Sequence, residues 1–149
     1  MKPRIVLDSS VVTKWYVREV NSQEAGELKT WLQEGAVLVA VPDLFFVEIA
    51  NVLWKKWMHM KDIGKIEAQE IFREVMNLPF QTLPDRELLK ETFILSSKYA
   101  ISIYDSLYLA AASELEALFI TADDALVNKL KHTPLFTSII PLSQWQARV

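Results

Sequence analysis

Short apolar blocks alternate along this chain with longer segments whose apolar residues recur at helical spacing. The short blocks are rich in β-branched residues and are typical of strands covered on both faces. We expect strands at Arg4–Leu7, Ala36–Val41, Phe80–Leu83, Leu118–Thr121 and Ser138–Leu142. We expect helices at Val11–Val17, Ser22–Glu34, Pro42 to about Met60, Gly64–Asn77, Asp85–Tyr99, Tyr104–Glu116 and Asp123–Lys131.

The alternation of strands with helices predicts the fold class. It favours an α/β sandwich around a mainly parallel sheet, because helical crossovers connect parallel strands. The 149 residues contain no repeat, low-complexity tract or linker, so a single domain over residues 1–149 is expected. Ligands of such sheets bind beyond the carboxyl ends of the strands, and residues that follow a strand are therefore the first candidates for a site.

Four acidic residues interrupt apolar surroundings. Asp8 and Asp123 follow predicted strands, whereas Glu48 and Asp105 lie on predicted helices that begin near the same edge of the sheet. Carboxylates are rarely buried unless they are paired or bind a metal ion. We therefore expect these four side chains to converge at the carboxyl ends of the strands around a divalent cation.

Clustered carboxylates are typical of a Mg²⁺ or Mn²⁺ site, because hard cations prefer oxygen ligands. Metal ions bound in this way activate water for cleavage of phosphodiester bonds. Such chemistry needs no protein nucleophile, which suits a chain with no cysteine and two histidines. The lack of cysteine also excludes disulfides and thiolate zinc sites and is compatible with a reducing cytoplasm.

Four neighbours of the acids are candidates for supporting roles. Ser9 follows Asp8 and has a hydroxyl within reach of a carboxylate, a metal-bound water or a phosphate. Asn51 and Lys55 lie three and seven residues after Glu48, which places them on its helical face. Asn51 would orient a water and Lys55 would contact a substrate phosphate.

Thr121 lies two residues before Asp123 and is positioned to support an acid through a hydrogen bond.

Each acid also has a purely structural interpretation. Asp8 and Asp105 are suited to capping the helices that follow them. Glu48 would be satisfied by a salt bridge to a lysine or arginine. Asp123 and Asp124 are adjacent first-turn acids that favour a helix N-terminus, and they compete for the fourth position in the cluster.

The aromatic residues Trp54 and Trp57 on the long helix favour packing or an interface over base stacking, and both a dimer contact and a partner's docking point remain open.

The net charge of −3 does not by itself indicate a nucleic-acid partner. Such a partner would require a local basic patch or a metal ion between protein and phosphates. No stretch approaches the ~20 apolar residues of a membrane span, and no signal-peptide pattern or glycine-rich phosphate loop is present. A membrane protein and a nucleotide-triphosphate enzyme are therefore not expected.

Taken in order, four segments around the acids resemble the motifs of the PIN-domain ribonucleases, and most closely those of the VapC-type toxins of toxin–antitoxin pairs. The order and approximate spacing hold over nearly the whole chain. The segments are Val6-Leu7-Asp8-Ser9-Ser10-Val11, Glu48-Ile49-Ala50-Asn51, Tyr104-Asp105-Ser106-Leu107-Tyr108 and Thr121-Ala122-Asp123.

This resemblance implies a three-layer α/β/α fold and Mg²⁺- or Mn²⁺-dependent endoribonuclease activity. It also implies a homodimer that a cognate VapB-like antitoxin neutralises. Carried over by position, the catalytic and metal-binding residues are Asp8, Glu48, Asp105 and Asp123, where the Thr-x-Asp spacing favours Asp123 over Asp124. Two related interpretations are a PIN nuclease that processes RNA without a toxin role, and a catalytically silent PIN-like binding or scaffold module.

Overall fold

A single five-stranded, all-parallel sheet forms the centre of the computed structural model, which describes residues 1–149. Its strand order is β3-β2-β1-β4-β5. The strands are β1 (Arg4–Leu7), β2 (Leu38–Pro42), β3 (Gln81–Leu83), β4 (Leu118–Thr121) and β5 (Ile139–Pro141). The expected parallel α/β architecture is thus confirmed.

Seven α-helices connect these strands. They are α1 (Ser9–Thr13), α2 (Ser22–Gln33), α3 (Leu44–Lys55), α4 (Lys65–Met76), α5 (Asp85–Tyr99), α6 (Ile103–Glu114) and α7 (Asp124–Leu130). The connections from β1 to β3 step to one side of β1, and those from β3 to β5 step to the other. Because parallel crossovers are right-handed, α1–α4 and α5–α7 cover opposite faces, which gives the three-layer α/β/α fold. None of the helices combines the length and apolar character that crossing a bilayer would require.

The hydrophobic core lies on both faces of the sheet. Thirty-eight buried residues form one cluster, and Ile5, Val6 and Leu7 of the central strand are fully buried. Helix α6 is buried along most of its length and packs against β1, β2 and β4. A strand covered on both faces reads as a continuous apolar run, which is why these strands are visible in the sequence.

The largest differences between the predicted and observed bounds concern α1 and α3. Helix α1 begins at Ser9 rather than Val11, because the carboxylate of Asp8 caps it, and it ends at Thr13. Pro42 does not open α3 but ends β2, where it pairs in register with Leu83. Proline is tolerated there because its missing N–H would face β1, whose pairing with β2 ends at Ala40. On the other side, the N–H of Asp43 donates to the carbonyl of Leu83 in β3 (3.1 Å).

The predicted extension of α3 to about Met60 is helical but has π geometry over Lys56–Met60. The N–H of Asp62 donates to the carbonyl of Lys56 (3.0 Å), and the buried ammonium of Lys56 lies 3.9 Å from the Asp62 carboxylate. The π turn that follows α3 is therefore closed by two contacts between Lys56 and Asp62, a backbone hydrogen bond and an ion pair.

A segment that the sequence did not reveal follows β5. Residues Leu142–Ala147 form 3₁₀ turns that bring Trp145 into the core, where it is 1% exposed. Its indole N–H donates to the carbonyl of Glu24 (3.1 Å), and its ring meets that of Trp31 edge-on with centroids 5.0 Å apart. Trp145 thus attaches this segment to α2.

Replacement of Trp145 by Ala is expected to lower the free energy of unfolding by about 3–5 kcal/mol, because it removes a large buried ring and leaves a cavity. Trp54→Ala is the matched control. Trp54 is 47% exposed, so its truncation should have a much smaller effect. Chemical denaturation of both variants measures the difference. Equal losses would contradict the anchoring role of Trp145.

Candidate functional site

The site lies where the chain leaves the central strand. The N–H of Asp8, the residue after β1, donates to the carbonyl of Ile120 in β4 (3.0 Å), so the pairing of the two strands extends as far as this acid. From β1 the chain runs to β2 and β3 on one side, whereas β4, on the other side of β1, is reached only afterwards from β3 at the far edge. Such a switch in strand order leaves a crevice at the carboxyl ends of the strands.

Hydrogen bonds hold the buried Asp8 carboxylate in one orientation. The hydroxyl of Thr121 donates to Oδ2 (2.6 Å), and the Ser9 hydroxyl and the Ser10 N–H donate to Oδ1, each at 3.4 Å. Burial raises the pKa of Asp8 above its usual value, the bonds from Thr121 and Ser10 oppose that rise, and the charge of Asp105 adds to it. The ionised form is therefore well oriented but lacks a positive partner.

Thr121 also connects Asp8 with Asp123. Its oxygen accepts the N–H of Asp123 (3.0 Å) while its own proton goes to Asp8. The Asp123 side chain is exposed and caps α7, where Oδ1 accepts the N–H of Leu126 (3.0 Å). The capping interpretation of Asp8 is thus correct, whereas Asp123, expected in the first turn, is the N-cap of α7. Both caps coexist with a position beside the crevice.

Glu48 lies in the second turn of α3 and is half-buried. Its Oε1 accepts the hydroxyl of Tyr108 from α6 (2.6 Å). The structural alternative for Glu48, a salt bridge to a lysine or arginine, is wrong. The three ion pairs of the structure join other residues: Lys14–Glu19, Lys29–Glu74 and Lys56–Asp62. Burial raises the pKa of Glu48, the Tyr108 hydrogen bond opposes that rise, and the charges of Asp8 and Asp105 reinforce it.

Asp105 lies in the first turn of α6, but it is not the cap of that helix. Ser102 is the N-cap: its hydroxyl accepts the N–H of Asp105 (3.0 Å) and donates to Oδ2 of the same residue (2.8 Å). Burial raises the pKa of Asp105, the Ser102 bond lowers it, the charge of Asp123 raises it further and that of Lys129 lowers it.

The four acids predicted from the sequence therefore come from four elements to one edge of the sheet. Glu48 is influenced by the charges of Asp8 and Asp105, and Asp105 by that of Asp123. They do not form a ready-made cage, since no three Asp, Glu or His side chains lie close enough together to hold one metal ion.

Asp124 belongs to a different feature, a depression of about 390 Å³ between α7 and β5 that Lys131 and Arg148 also line.

The predicted neighbours divide into two groups. Ser9 and Thr121 both contact Asp8. Asn51 and Lys55 are exposed on α3, and neither forms a hydrogen bond or an ion pair with the acids. Helical spacing placed them near Glu48, but Glu48 itself turns inward to Tyr108, away from the exposed surface that they occupy.

Three contacts at the site were not predicted. The Ser102-x-x-Asp105 spacing is a helix-capping pattern that can be recognised from the sequence alone. Tyr108 lies three residues after Asp105 in an apolar helix, and a buried tyrosine hydroxyl usually has a partner, although the sequence does not say which. Lys129 of α7 donates to the carbonyl of Ala100 and lies near Asp105. The two residues are far apart in the sequence, so only the folded chain brings them together.

Comparisons with known proteins agree with this architecture. A family model for the PIN domain matches residues 5–131. Ribonuclease VapC3 of Pyrobaculum aerophilum is 30% identical over 131 residues, which cover 85% of this chain and 94% of that protein.

Two solved structures share the fold. PAE2754 of Pyrobaculum aerophilum superposes with a TM-score of 0.72 at 19% identity over 98% of this chain and 88% of the other. A toxin–antitoxin complex from Klebsiella pneumoniae gives a TM-score of 0.65 at 14% identity, covering 93% of this chain and 97% of the other. With the family model matching most of the chain and a 30%-identical relative, the chain belongs to the PIN-domain family.

Proposed function

We propose that residues 1–149 form a single PIN nuclease domain that acts as a metal-dependent endoribonuclease, the toxin of a VapBC-type toxin–antitoxin pair. The observation that carries this proposal is the group formed by Asp8, Glu48 and Asp105 at the switch point of the sheet, three carboxylates whose pKa values are all raised. The similarity to Ribonuclease VapC3 supports the RNA substrate.

The donor set fits Mg²⁺ or Mn²⁺. All four candidate ligands, Asp8, Glu48, Asp105 and Asp123, offer carboxylate oxygens, and a positive ion would relieve the burial and mutual repulsion that raise the pKa values of the first three. Mg²⁺ usually binds through one or two carboxylates together with water and substrate phosphates, so a cage of three close carboxylates is not required. When bound, such an ion polarises the phosphodiester and lowers the pKa of a coordinated water.

The residues of the chain itself orient and protect this site. Thr121 holds the Asp8 carboxylate, Tyr108 that of Glu48 and Ser102 that of Asp105, which keeps the charged oxygens from rotating toward solvent. Oε2 of Glu48, which is not bonded to Tyr108, is the oxygen available to a metal ion.

The positive charge beside Asp105 comes from Lys129. Because the surrounding carboxylates repel RNA, a lysine at this position would hold a substrate phosphate near the site. Lys129 is therefore a second candidate for the phosphate contact, beside the exposed Lys55 of α3.

Two exposed apolar surfaces are suited to protein partners. The first is a shallow, open groove of about 190 Å³ between α3 and α4, lined by Ala50, Leu53, Trp54, Trp57, Ala68, Gln69 and Phe72. Its almost wholly apolar lining fits a partner segment with apolar side chains, and we assign it to a cognate VapB-like antitoxin. This assignment is supported by the fold's occurrence in a toxin–antitoxin complex.

The second surface is the apolar stripe of α5 that Leu89 and Phe93 form. The two residues are one helical turn apart, and both are exposed. In a two-fold dimer the same patch of both subunits meets, so two such stripes would bury each other's apolar side chains. We therefore assign this stripe to a homodimer.

RNA cleavage tests the proposed activity. The protein is expected to cleave RNA with Mg²⁺ or Mn²⁺ and to stop when EDTA is added. Asp8→Asn and Asp105→Asn should each lower kcat/KM by about 100-fold or more, because metal ions provide several kcal/mol of transition-state stabilisation. Asp124→Asn is the matched control and should leave the rate nearly unchanged. Undiminished cleavage by the Asp8 and Asp105 variants would rule out these residues.

Removal of the buried charge should stabilise the metal-free protein. Asp8→Asn is expected to raise the free energy of unfolding in EDTA by about 0.5–2 kcal/mol, since the amide keeps an acceptor for Thr121 without a desolvated charge. Mn²⁺ should raise the melting temperature of the wild type but not that of the variant, because binding to the folded state stabilises it. Scanning calorimetry with and without Mn²⁺ measures both effects. Absence of Mn²⁺ uptake by the wild type favours the catalytically silent module.

The two partner surfaces are tested by reciprocal variants. Trp54→Asp should weaken binding of the cognate antitoxin by about 30-fold or more, the effect of losing a buried aromatic anchor, and should leave the oligomeric state unchanged. Phe93→Asp should convert a dimer to a monomer and leave antitoxin affinity unchanged. Light scattering measures the oligomeric state and calorimetric titration the antitoxin affinity. If Trp54→Asp disrupted the dimer and Phe93→Asp weakened antitoxin binding, the two assignments would be reversed.

A further inference from the structure

Tyr108 joins the two helical layers across the carboxyl edge of the sheet. It lies on α6 and is 2% exposed, and its hydroxyl donates to Glu48, a residue 60 positions away on α3 (2.6 Å). The two helices lie on opposite faces of the sheet, so this bond spans the crevice at which the acids converge. Its ring stacks on that of Phe119 from β4, with centroids 5.5 Å apart and an interplanar angle of 13°.

Strand β4 supports this contact and the Asp8 contact from the same face. Phe119 and Thr121 are two residues apart, and side chains at that spacing point to the same side of a strand. Phe119 supports the ring of Tyr108, while Thr121 donates to Asp8 and accepts from the N–H of Asp123. The position of Glu48 relative to Asp8 is therefore set by two neighbouring side chains of one buried strand.

We infer that Tyr108 is a positioning residue that holds the Glu48 carboxylate in place for a divalent cation, through the bond from its hydroxyl to Oε1. This inference rests on the proposed function. A glutamate has three rotatable side-chain bonds, and ordering it carries one of the larger entropic penalties among side chains. The Tyr108 bond restricts that motion in the folded protein and leaves Oε2 available to the ion.

Tyr108→Phe removes the hydroxyl and keeps the stacked ring. We expect the dissociation constant for Mn²⁺, measured by calorimetric titration, to rise about tenfold, as is typical when a group that orients a metal ligand is lost. RNA cleavage should fall by a similar factor, while the melting temperature in EDTA stays close to that of the wild type. Tyr104→Phe, on the same helix with Tyr104 62% exposed, is the matched control and should change none of these quantities.

A double-mutant cycle identifies the route of the effect. If Tyr108 acts through Glu48, then Tyr108→Phe should weaken Mn²⁺ binding in the wild type but add no further loss to Glu48→Gln. Equal losses in both backgrounds would show that Tyr108 acts elsewhere and would overturn the inference. Should Tyr108→Phe fail to fold, Phe119→Leu, which removes the stacking ring, provides the test: weaker Mn²⁺ binding supports the positioning role, and unchanged binding overturns it.

The outcomes separate this inference from the proposed function. A wild-type protein that neither takes up Mn²⁺ nor cleaves RNA overturns both. A wild-type protein that does both, with unchanged Mn²⁺ affinity in Tyr108→Phe, overturns only the role of Tyr108.

Discussion

The hydrogen bond from Thr121 to Asp8 is the interaction on which the candidate site depends. It joins residues 113 positions apart, at the ends of the two strands between which the sheet's connectivity switches sides. Pairing of Leu7 with Ile120 sets the register that brings the two side chains together. A shift of one residue would turn every side chain of the strand to the other face, and the carboxylate would lose its donor. The apolar packing of β1 and β4 thus determines the geometry of the acids.

The same arrangement of acids lowers the stability of the folded protein. Three carboxylates are held where burial raises their pKa values, and they repel one another. A core of 38 buried residues on both faces of the sheet offsets this unfavourable electrostatic contribution. Such a conflict is common at functional sites, where residues that would destabilise a purely structural protein are retained for binding or chemistry.

Helix α3 connects the site with the protein's surface. It carries Glu48 on one side and Trp54, part of the groove assigned to the antitoxin, on another. Tyr108 fastens the inner side of this helix to α6, and the π-helical turn ends it at Lys56–Met60. A partner bound in the groove would therefore contact the element that also carries a candidate metal ligand.

Local patterns were sufficient for much of the fold. Strands β1 and β4 and helix α5 have the bounds that the sequence predicts, because each is a continuous apolar block or a periodic segment with clear ends. Pro42 was assigned to a helix because proline favours a first turn, whereas pairing with β3 made it the end of a strand. The buried role of Trp145 was not predicted, since its partners Glu24 and Trp31 lie far away in the chain.

The sequence by itself indicated which acids lie at the carboxyl edge of the sheet, because each follows a strand or lies on an apolar helix whose position in a parallel sheet can be inferred. Only the tertiary structure decided how they are held. Tyr108 reaches Glu48 across 60 residues, and Thr121 reaches Asp8 across 113, through strand register and helix packing that no local pattern encodes. For the same reason Asn51 and Lys55, correctly spaced from Glu48 along α3, lie exposed while Glu48 turns inward. Spacing gives a residue's position on a helix, but packing against the rest of the protein decides which contacts it makes.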